Sequence, residues 1–417
     1  MGPHEDVVVV GASLAGCATA TLLARQGVSV TLLERSPDPD AYKRVCTHFI
    51  QPSAVPVMQR LGLEQAVAEA GGLRGSIDLW TRYGWSRPPA GAVPRGYNIR
   101  REVLDPLTRS AAIQTPGVRF RSGVRVDALV RDGRRTSGVE IRTADGGRES
   151  IPASLVIAAD GRTSDVARMA RVPTLRLPNK RFAYYTYFRG LRLASGSNSQ
   201  LWFLDPEVAY AFPTDDDLTL VAYWPQRKRL HEVKANVDDE IRRRFAALAG
   251  GPRLDQAEQV GPWIGKLELP NVIRPASWRG VALVGDAAVG SDPLWGVGCG
   301  WALQSAGWLA DSVAAVLADG GDPAVGLAAY RKRHAKEVGL SHLIMSEYST
   351  GRHFLPPEKL IFAAAARDPA TAIVVHRFAG RIDPPTRLFS PRTMVRAASV
   401  VAVKRKPAVA PLAPVRI

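Results

Sequence analysis

The stretch Asp6–Arg35, DVVVVGASLAGCATATLLARQGVSVTLLER, constrains the fold more than any other part of the chain. Val7–Val10 is a short β-branched run bounded by turn signals, the pattern of a strand buried on both faces of a parallel sheet. Gly11, Ser13 and Gly16 follow at the dinucleotide-fingerprint positions, and Leu14, Ala18, Leu22 and Leu23 then recur at helical spacing. Gly27 ends that helix, and Val28–Leu33 forms a second buried strand that finishes on Glu34. Strand, turn, helix and strand in this order make a βαβ nucleotide-binding unit.

Each residue of the turn has a physical reason. Gly11 permits the sharp turn off the strand, while Gly16 and Ala20 let the helix pack close to the sheet. The helix N-terminus offers unpaired N–H groups and a positive dipole end to a pyrophosphate. Glu34, eighteen positions past Gly16, sits where a carboxylate accepts from a ribose 2′-OH, which argues against a 2′-phosphate there. Ser13 replaces the middle glycine of the strict pattern, but its side chain is small enough for close backbone approach.

With 417 residues and 46% apolar composition, the chain can bury a sizeable core in two or three structural units. Cys17, Cys46 and Cys299 show neither metal-ligand nor CxxC spacing, which fits a reducing, cytoplasmic setting and gives no metal site. The first strand begins almost at once, so no signal peptide is expected, and no apolar run reaches the ~18 residues of a membrane span. The formal charge of +16 raises nucleic-acid binding, but no helix-turn-helix, zinc-finger or RNP pattern accompanies it. An arginine-rich coding bias and attraction of anionic cofactors and substrates account for the charge. Oligomeric state is not legible.

Further along, the pattern predicts a helix from about Ser53 to Ala70, a strand over Ile77–Trp85, a Pro/Gly-rich loop over Trp85–Gly96 and a helix over Arg100–Gln114. Three β-type runs follow at Val118–Phe120, Val124–Arg131 and Ser137–Thr143, with Asp132-Gly133 and Asp145-Gly146-Gly147 as hairpin turns, and then a buried strand at Leu155–Ala159. Between about Pro173 and Pro270 aromatic strands at Phe182–Phe188, Gln200–Leu204, Val208–Phe212 and Leu218–Trp224 read as an antiparallel sheet, interrupted by a helix near Val237–Leu248. Val281–Val284 returns to the buried-strand type, and the chain is mainly helical from Gly296 to about Tyr348. Beyond Pro391 a basic helix and a Pro-rich tail with Lys404-Arg405-Lys406 are expected.

Three further constellations carry function. One is Arg101-Glu102-Val103-Leu104-Asp105, and the second is LVIAADGRTSDVAR with Asp160, Gly161, Ser164 and Arg168. The third is ALVGDAAVGSDPLWGVGCGWALQSAGWLAD, where a buried strand ends on Gly285-Asp286 and a Gly-rich loop opens a long helix. That loop again aims backbone N–H groups at an anionic or electron-rich ligand, and Asp286 can accept from a ribityl hydroxyl.

Over roughly residues 6–315, with these motifs in family order, the chain resembles the class A flavoprotein monooxygenases, the family of p-hydroxybenzoate hydroxylase and related aromatic hydroxylases. Flavin halogenases and geranylgeranyl reductases share much of the pattern. The resemblance implies an α/β fold: a Rossmann-like FAD-binding domain, an interleaved antiparallel substrate-binding sheet and C-terminal helices. The implied division is 1–76, 97–172 and 271–320 for FAD, 77–96 and 173–270 for substrate, and 321–417 for a C-terminal helical segment and basic tail. It implies FAD held by Gly11, Ser13, Leu14, Ala15 and Gly16 at the pyrophosphate, and by Glu34 and Arg35 at the adenosine ribose. Arg44 would lie near the ribose and pyrophosphate, Arg101 near the flavin chain, and Asp160-Gly161 would serve both FAD and NAD(P)H. Asp286 would hold the ribityl chain, and Pro293, Gly296, Gly298, Cys299 and Gly300 would border the isoalloxazine, with Cys46, Thr47 and His48 close by.

The implied activity is NAD(P)H- and O₂-dependent hydroxylation or epoxidation of a small organic substrate, aromatic or polyketide-like, through C4a-hydroperoxyflavin. No catalytic side chain is assigned, because the flavin carries the chemistry. Tyr185, Tyr187, Trp202, Tyr210, Phe212 and Tyr223 are the candidates for an apolar substrate pocket. On their own, His48 reads as a hydrogen-bonded loop residue and Cys46 as a small packing residue. Val289 stands where the family often has His, Ser305 replaces a common acid, and the tryptophan-rich halogenase signature is missing. A C=C reductase of the geranylgeranyl reductase type is the alternative, and it would turn over without oxygen.

Overall fold

The chain, seen in a computed structural model that describes residues 5–403, is built on two large sheets. In the first, the strands run in the order Ser277–Trp278, Val281–Leu283, Arg148–Ala158, Glu5–Val10, Val30–Leu33 and Val118–Arg121. All neighbours in that order are parallel except the Ser277–Trp278 edge. Val7, Val8 and Val9 are fully buried, as a central parallel strand covered on both faces requires. Arg125–Asp132 and Arg135–Arg142 form an antiparallel ribbon on the N-terminal half of Arg148–Ala158. Gly133 and Gly146, both at positive φ, make the turns of this ribbon, as the Asp-Gly signals indicate.

The second sheet has seven strands, in the order Glu258–Lys266, Ala183–Arg189, Leu218–Trp224, Val208–Pro213, Ser199–Phe203, Ile77–Thr81 and Gly84–Ser86. Its two faces bury different sets of side chains. Trp202 and Tyr223 lie with Phe245 and Ile241 beneath the helix Val237–Ala246. Tyr185, Tyr210, Phe212 and Trp224 lie on the other face, with Phe49, Leu294 and residues of the C-terminal helices.

Four sequence expectations change in detail. The helix expected over 53–70 is two helices, Val55–Leu61 and Leu63–Glu69, because Gly62 adopts φ 70 and closes the first. The strand expected over 77–85 is a tight hairpin. The long helical region is Val297–Ala318 and Ala324–Tyr348, parted at the Gly320-Gly321 turn. Glu258–Lys266, a sheet edge interrupted by Gly261, Pro262 and Gly265, carried no strand signal. The basic helix past Pro391 is Pro391–Ala402, and the tail including Lys404-Arg405-Lys406 lies outside the described residues.

The C-terminal helices are pinned to the second sheet by His376 on Pro369–Ala379, whose Nε2 bonds the Ser86 carbonyl at 2.9 Å. Burial holds this imidazole neutral and pushes its pKa down to about 4. The unfolded chain binds the proton near pH ~6.5, so this contribution is complete above that pH and is lost as pH falls towards 4. Each such histidine removes on the order of 3 kcal/mol across the window. Chemical denaturation at pH 7 and pH 4.5 should show a smaller pH-dependent loss in His376→Gln than in the wild type.

Candidate functional site

The carboxyl ends of the parallel strands open into a cleft of about 970 Å³, at the large end of the ~300–1,000 Å³ range of small-molecule sites. Val30–Leu33 and Arg148–Ala158 flank Glu5–Val10 on opposite sides. The cleft therefore sits at a topological switch point, where open α/β sheets bind ligands.

Two helix N-termini face it. At the first, Gly11 has φ 105, and a Cβ there would stand 2.6 Å from the Ala159 carbonyl oxygen; at Gly16 a Cβ would stand 1.8 Å from the Gly11 carbonyl oxygen. Only glycine fits either position. Ser13, the N-cap of the helix Leu14–Ala24, makes no capping bond. Its Oγ instead accepts from Arg101 Nη2 at 2.7 Å. The first-turn N–H groups, which have no intrahelical acceptor, thus lie at a cleft wall that includes Leu14 and Ala15. At the second N-terminus, Gly296 (φ 61) caps Val297–Ala318 without a side-chain bond, and Pro293, Gly296 and Gly298 line the cleft. A pair of helix ends with no side-chain cap suits a ligand with anionic and electron-rich parts, so the site fits a dinucleotide cofactor.

Arg101 and Asp105 join the walls. Their side chains, both buried, are 2.6 Å apart. Asp105 Oδ2 also accepts from the Lys43 backbone N–H at 2.9 Å, and the Arg101 backbone N–H donates to His48 Nδ1 at 3.0 Å. Arg109 reaches from the same helix to the carbonyls of Ala12, Pro39 and Ala41. One helix, Arg101–Ile113, therefore fixes the fingerprint turn, the 39–43 loop and His48 together.

The acids divide by task. Glu34 accepts from the Ala12 and Ser36 N–H groups at 2.8 and 2.9 Å, which holds it at the end of its strand beside the turn. Burial disfavours the charge on Asp286, but Lys43 at 2.8 Å and Arg162 at 4.0 Å outweigh it and keep the carboxyl below the ordinary range. Asp160 is occupied within its own turn, accepting from Ser164 Oγ at 2.5 Å and the Val166 N–H at 3.0 Å. Burial pushes its pKa up against those bonds.

His48 has φ 59, uncommon for a residue with a side chain, and is held there by its two ring bonds. A backbone N–H can only donate, so Nδ1 is the acceptor and the proton resides on Nε2. Nε2 lies 2.6 Å from the Tyr187 hydroxyl, which accepts and keeps its own proton for donation elsewhere. Burial lowers the His48 pKa and keeps the ring neutral. Beside it, Cys46 Sγ lies 3.6 Å from Cys299 Sγ. Contact with the Cys299 thiol, against the effect of burial, brings the Cys46 thiol well below its ordinary pKa, and the Cys299 thiol rises correspondingly.

Of the residues singled out in the sequence, Gly11, Ser13, Leu14, Ala15, Glu34, Arg35, Arg44, Arg101, Asp160, Gly161, Asp286, Pro293, Gly296 and Gly298 all line this one cleft. Gly16 packs against the Gly11 carbonyl and Gly300 against Gln51, while Cys299 is buried on Cys46; these three are not wall residues. Trp202 and Tyr223 are corrected as pocket candidates. They lie on the far sheet face, bonded to the Ala249 carbonyl and to Glu207. Tyr185, Tyr187, Tyr210 and Phe212 are on the face towards His48 and Phe49. Sequence reasoning named Asp105 in the Arg101 motif without a role and missed Lys43, Arg109 and Arg162. Of these three only Arg162, directly after Asp160-Gly161, carried a signal.

A family model described as an FAD binding domain matches residues 4–339. The chain belongs to this family. It is an FAD-dependent oxidoreductase of the class A flavoprotein monooxygenase family. Kynurenine 3-monooxygenase of Salinispora arenicola is 30% identical over 367 residues, covering 79% of this chain and 77% of that protein. Digeranylgeranylglycerophospholipid reductase of Methanothrix thermoacetophila is 28% identical over 361 residues, covering 82% of this chain and 87% of that protein. The flavin-dependent brominase Bmp2 has the same fold, with a TM-score of 0.79 at 18% identity over 97% of this chain and 100% of that one. No helix among the described residues is long and apolar enough to cross a membrane.

Breaking a buried ion pair from one side costs about 3–5 kcal/mol because it strands the other charge. Asp105→Ala in this flavoprotein should lose that much stability by urea denaturation and should be purified with substoichiometric FAD. Wild-type stability in the variant would show that Arg101 finds another partner.

Proposed function

We propose that this flavoprotein is an NAD(P)H- and O₂-dependent monooxygenase that hydroxylates or epoxidises a small organic substrate with an aromatic or polyketide-like body. The observation that carries the reading is what stands in and behind the cleft wall. Uncapped N–H groups and Glu34 line the cleft, and its wall residues Cys46 and Thr47 run directly into His48, which is paired with Tyr187 beside the apolar aromatic sheet face.

When bound, FAD supplies the electron transfer that links NAD(P)H to O₂. In this reading Gly11, Ser13, Leu14 and Ala15 hold its pyrophosphate through backbone N–H groups, and Glu34 and Arg35 take the adenosine ribose. Arg44 and Arg101 stand along the chain, with Asp160-Gly161 shaping the wall where NAD(P)H approaches. Asp286, kept ionised by Lys43, accepts from the ribityl hydroxyls. Pro293, Gly296 and Gly298 border the isoalloxazine, where the helix N–H groups stabilise negative charge. Gly16, Cys299 and Gly300 act through packing. Tyr187, with its hydroxyl oriented by His48, donates a hydrogen bond that orients a polar group of the substrate, and Tyr185, Tyr210 and Phe212 exclude water from that end.

Likeness to the archaeal reductase over 82% of this chain favours one second reading, reduction of a C=C bond. Oxygen separates the two. Product formation with NAD(P)H should require O₂ and consume it in proportion, whereas full anaerobic turnover would establish the reductase. Loss of the orienting hydroxyl in Tyr187→Phe should lower product formation by roughly 10²-fold, while flavin bleaching by NAD(P)H stays at the wild-type rate. A variant with wild-type product yield would remove Tyr187 from the mechanism.

A further inference from the structure

Cys46 and Cys299 stand 253 positions apart in the chain, yet the fold brings their Sγ atoms within 3.6 Å. Their surroundings differ. Cys46 belongs to the 41–48 loop, outside helix and strand, and is a wall residue of the cofactor cleft. Cys299 lies in the first turn of Val297–Ala318, buried directly behind it. A small dissolved molecule in the cleft therefore meets one sulfur of the pair, with the other in contact at its back.

The two sulfurs are also unequal in chemistry. The nucleophilic form of cysteine is the thiolate, which donors and cations stabilise. Cys46 Sγ accepts from the His48 backbone N–H at 3.3 Å. The Cys299 thiol is its strongest partner and, against burial, holds Cys46 well below the ordinary thiol range, with the cations Arg101 and Lys43 adding to the effect. Cys299 has Arg101 Nη1 at 3.8 Å, but as the donor of the pair it keeps its proton. Cys17 gives the contrast within the same molecule. It is fully buried in the helix Leu14–Ala24, and burial pushes its thiol far up.

An accessible thiolate with a second thiol in contact is the arrangement of an attacking and a resolving cysteine. We propose that Cys46 and Cys299 form a reversible dithiol–disulfide site in the cleft wall, oxidised by hydroperoxides, with Cys46 attacking and Cys299 resolving. The Cys46 thiolate attacks one oxygen of hydrogen peroxide and the O–O bond breaks. Cys46 becomes a sulfenic acid, and the departing hydroxide takes up a proton to leave as water. The Cys299 sulfur, giving up its proton, then attacks the sulfenic sulfur. The S–O bond breaks, the S–S bond forms, and a second water leaves. Two thiols lose two electrons in all, and one peroxide is reduced to two waters.

Bond formation brings the sulfurs about 1.5 Å closer than they stand now, to the ~2.05 Å of a disulfide. The 41–48 loop, which carries Cys46 outside regular structure, supplies that movement. The bond ties the loop that bears Lys43 and Arg44 to the helix start that bears Gly296 and Gly298, all four of them cleft residues. Two walls of the cleft are thus joined covalently in the oxidised protein and only packed together in the reduced one. The assignment stands apart from the oxygenation reading, because the oxidant is a peroxide and the electrons come from the thiols.

The test treats the FAD-loaded protein with a small excess of hydrogen peroxide, then denatures it and titrates its free thiols. Wild type, which has three free cysteines, should fall to one, Cys17. The intact chain should weigh two hydrogens less, a non-reducing digest should contain a linked Cys46–Cys299 peptide, and dithiothreitol should restore all three thiols. Cys46→Ser should keep both of its thiols under the same treatment. Cys299→Ser should give a sulfenic acid at Cys46 that dimedone traps, and no cross-link. Survival of all three thiols in wild type, oxidation of Cys46 to the sulfinic acid with Cys299 left free, linkage through Cys17 or between chains, or loss of thiols in Cys46→Ser would each overturn the proposal. The thiol count needs no substrate turnover, so its outcome is separate from success or failure of the oxygenation reading.

Discussion

The cleft depends on one buried ion pair. Arg101 and Asp105 stand one helical turn apart, and between them they hold the fingerprint turn through Ser13, the 39–43 loop through the Lys43 N–H, and His48 through the Arg101 N–H. A buried pair of this kind is weak evidence for stability, because its desolvation cost rivals its attraction. Its value here is geometric. Each of its partners belongs to a different wall, so the walls cannot shift independently.

That arrangement leaves the helix ends uncapped on purpose of position. Ser13 would ordinarily cap its helix, but its hydroxyl is held by Arg101. Gly296 has no side chain with which to cap. The orphan N–H groups of two helices therefore converge on one space, the place proposed for FAD. The same segments turn a different face to the second sheet, where Tyr187 receives a hydrogen bond from a histidine locked in one tautomer. Polar and apolar chemistry thus meet at the His48 segment, between the cofactor's place and the aromatic sheet.

Much of this was legible in the sequence because it rests on local rules. The βαβ unit, the Gly-Asp strand end and the Gly-rich helix start are short-range signals, and Gly11, Ser13, Glu34, Asp286, Gly296 and Gly298 from them gather in one cleft, while Gly16, Cys299 and Gly300 pack behind it. Two kinds of feature were not legible. Face assignment in the aromatic strands failed for Trp202 and Tyr223, since strand alternation fixes which residues share a face but not which face meets the cofactor side. Contacts between distant positions were also hidden: Lys43 with Asp286, Cys46 with Cys299, and His48 with Tyr187 are joined only by the fold. Ser305, which reads as a departure from its family, has a local reason, because its hydroxyl accepts from the Gly285 N–H at 2.9 Å and steadies the Gly-Asp turn.

Hydrogen exchange of the backbone amides, with and without FAD, tests most directly whether two helix N-termini converge on the cofactor. FAD should slow exchange together in residues 11–16 and 296–300, with the Arg135–Arg142 strand, which does not line the cleft, serving as an unaffected reference. Protection confined to one helix end, or spread evenly over the molecule, would contradict the shared cleft.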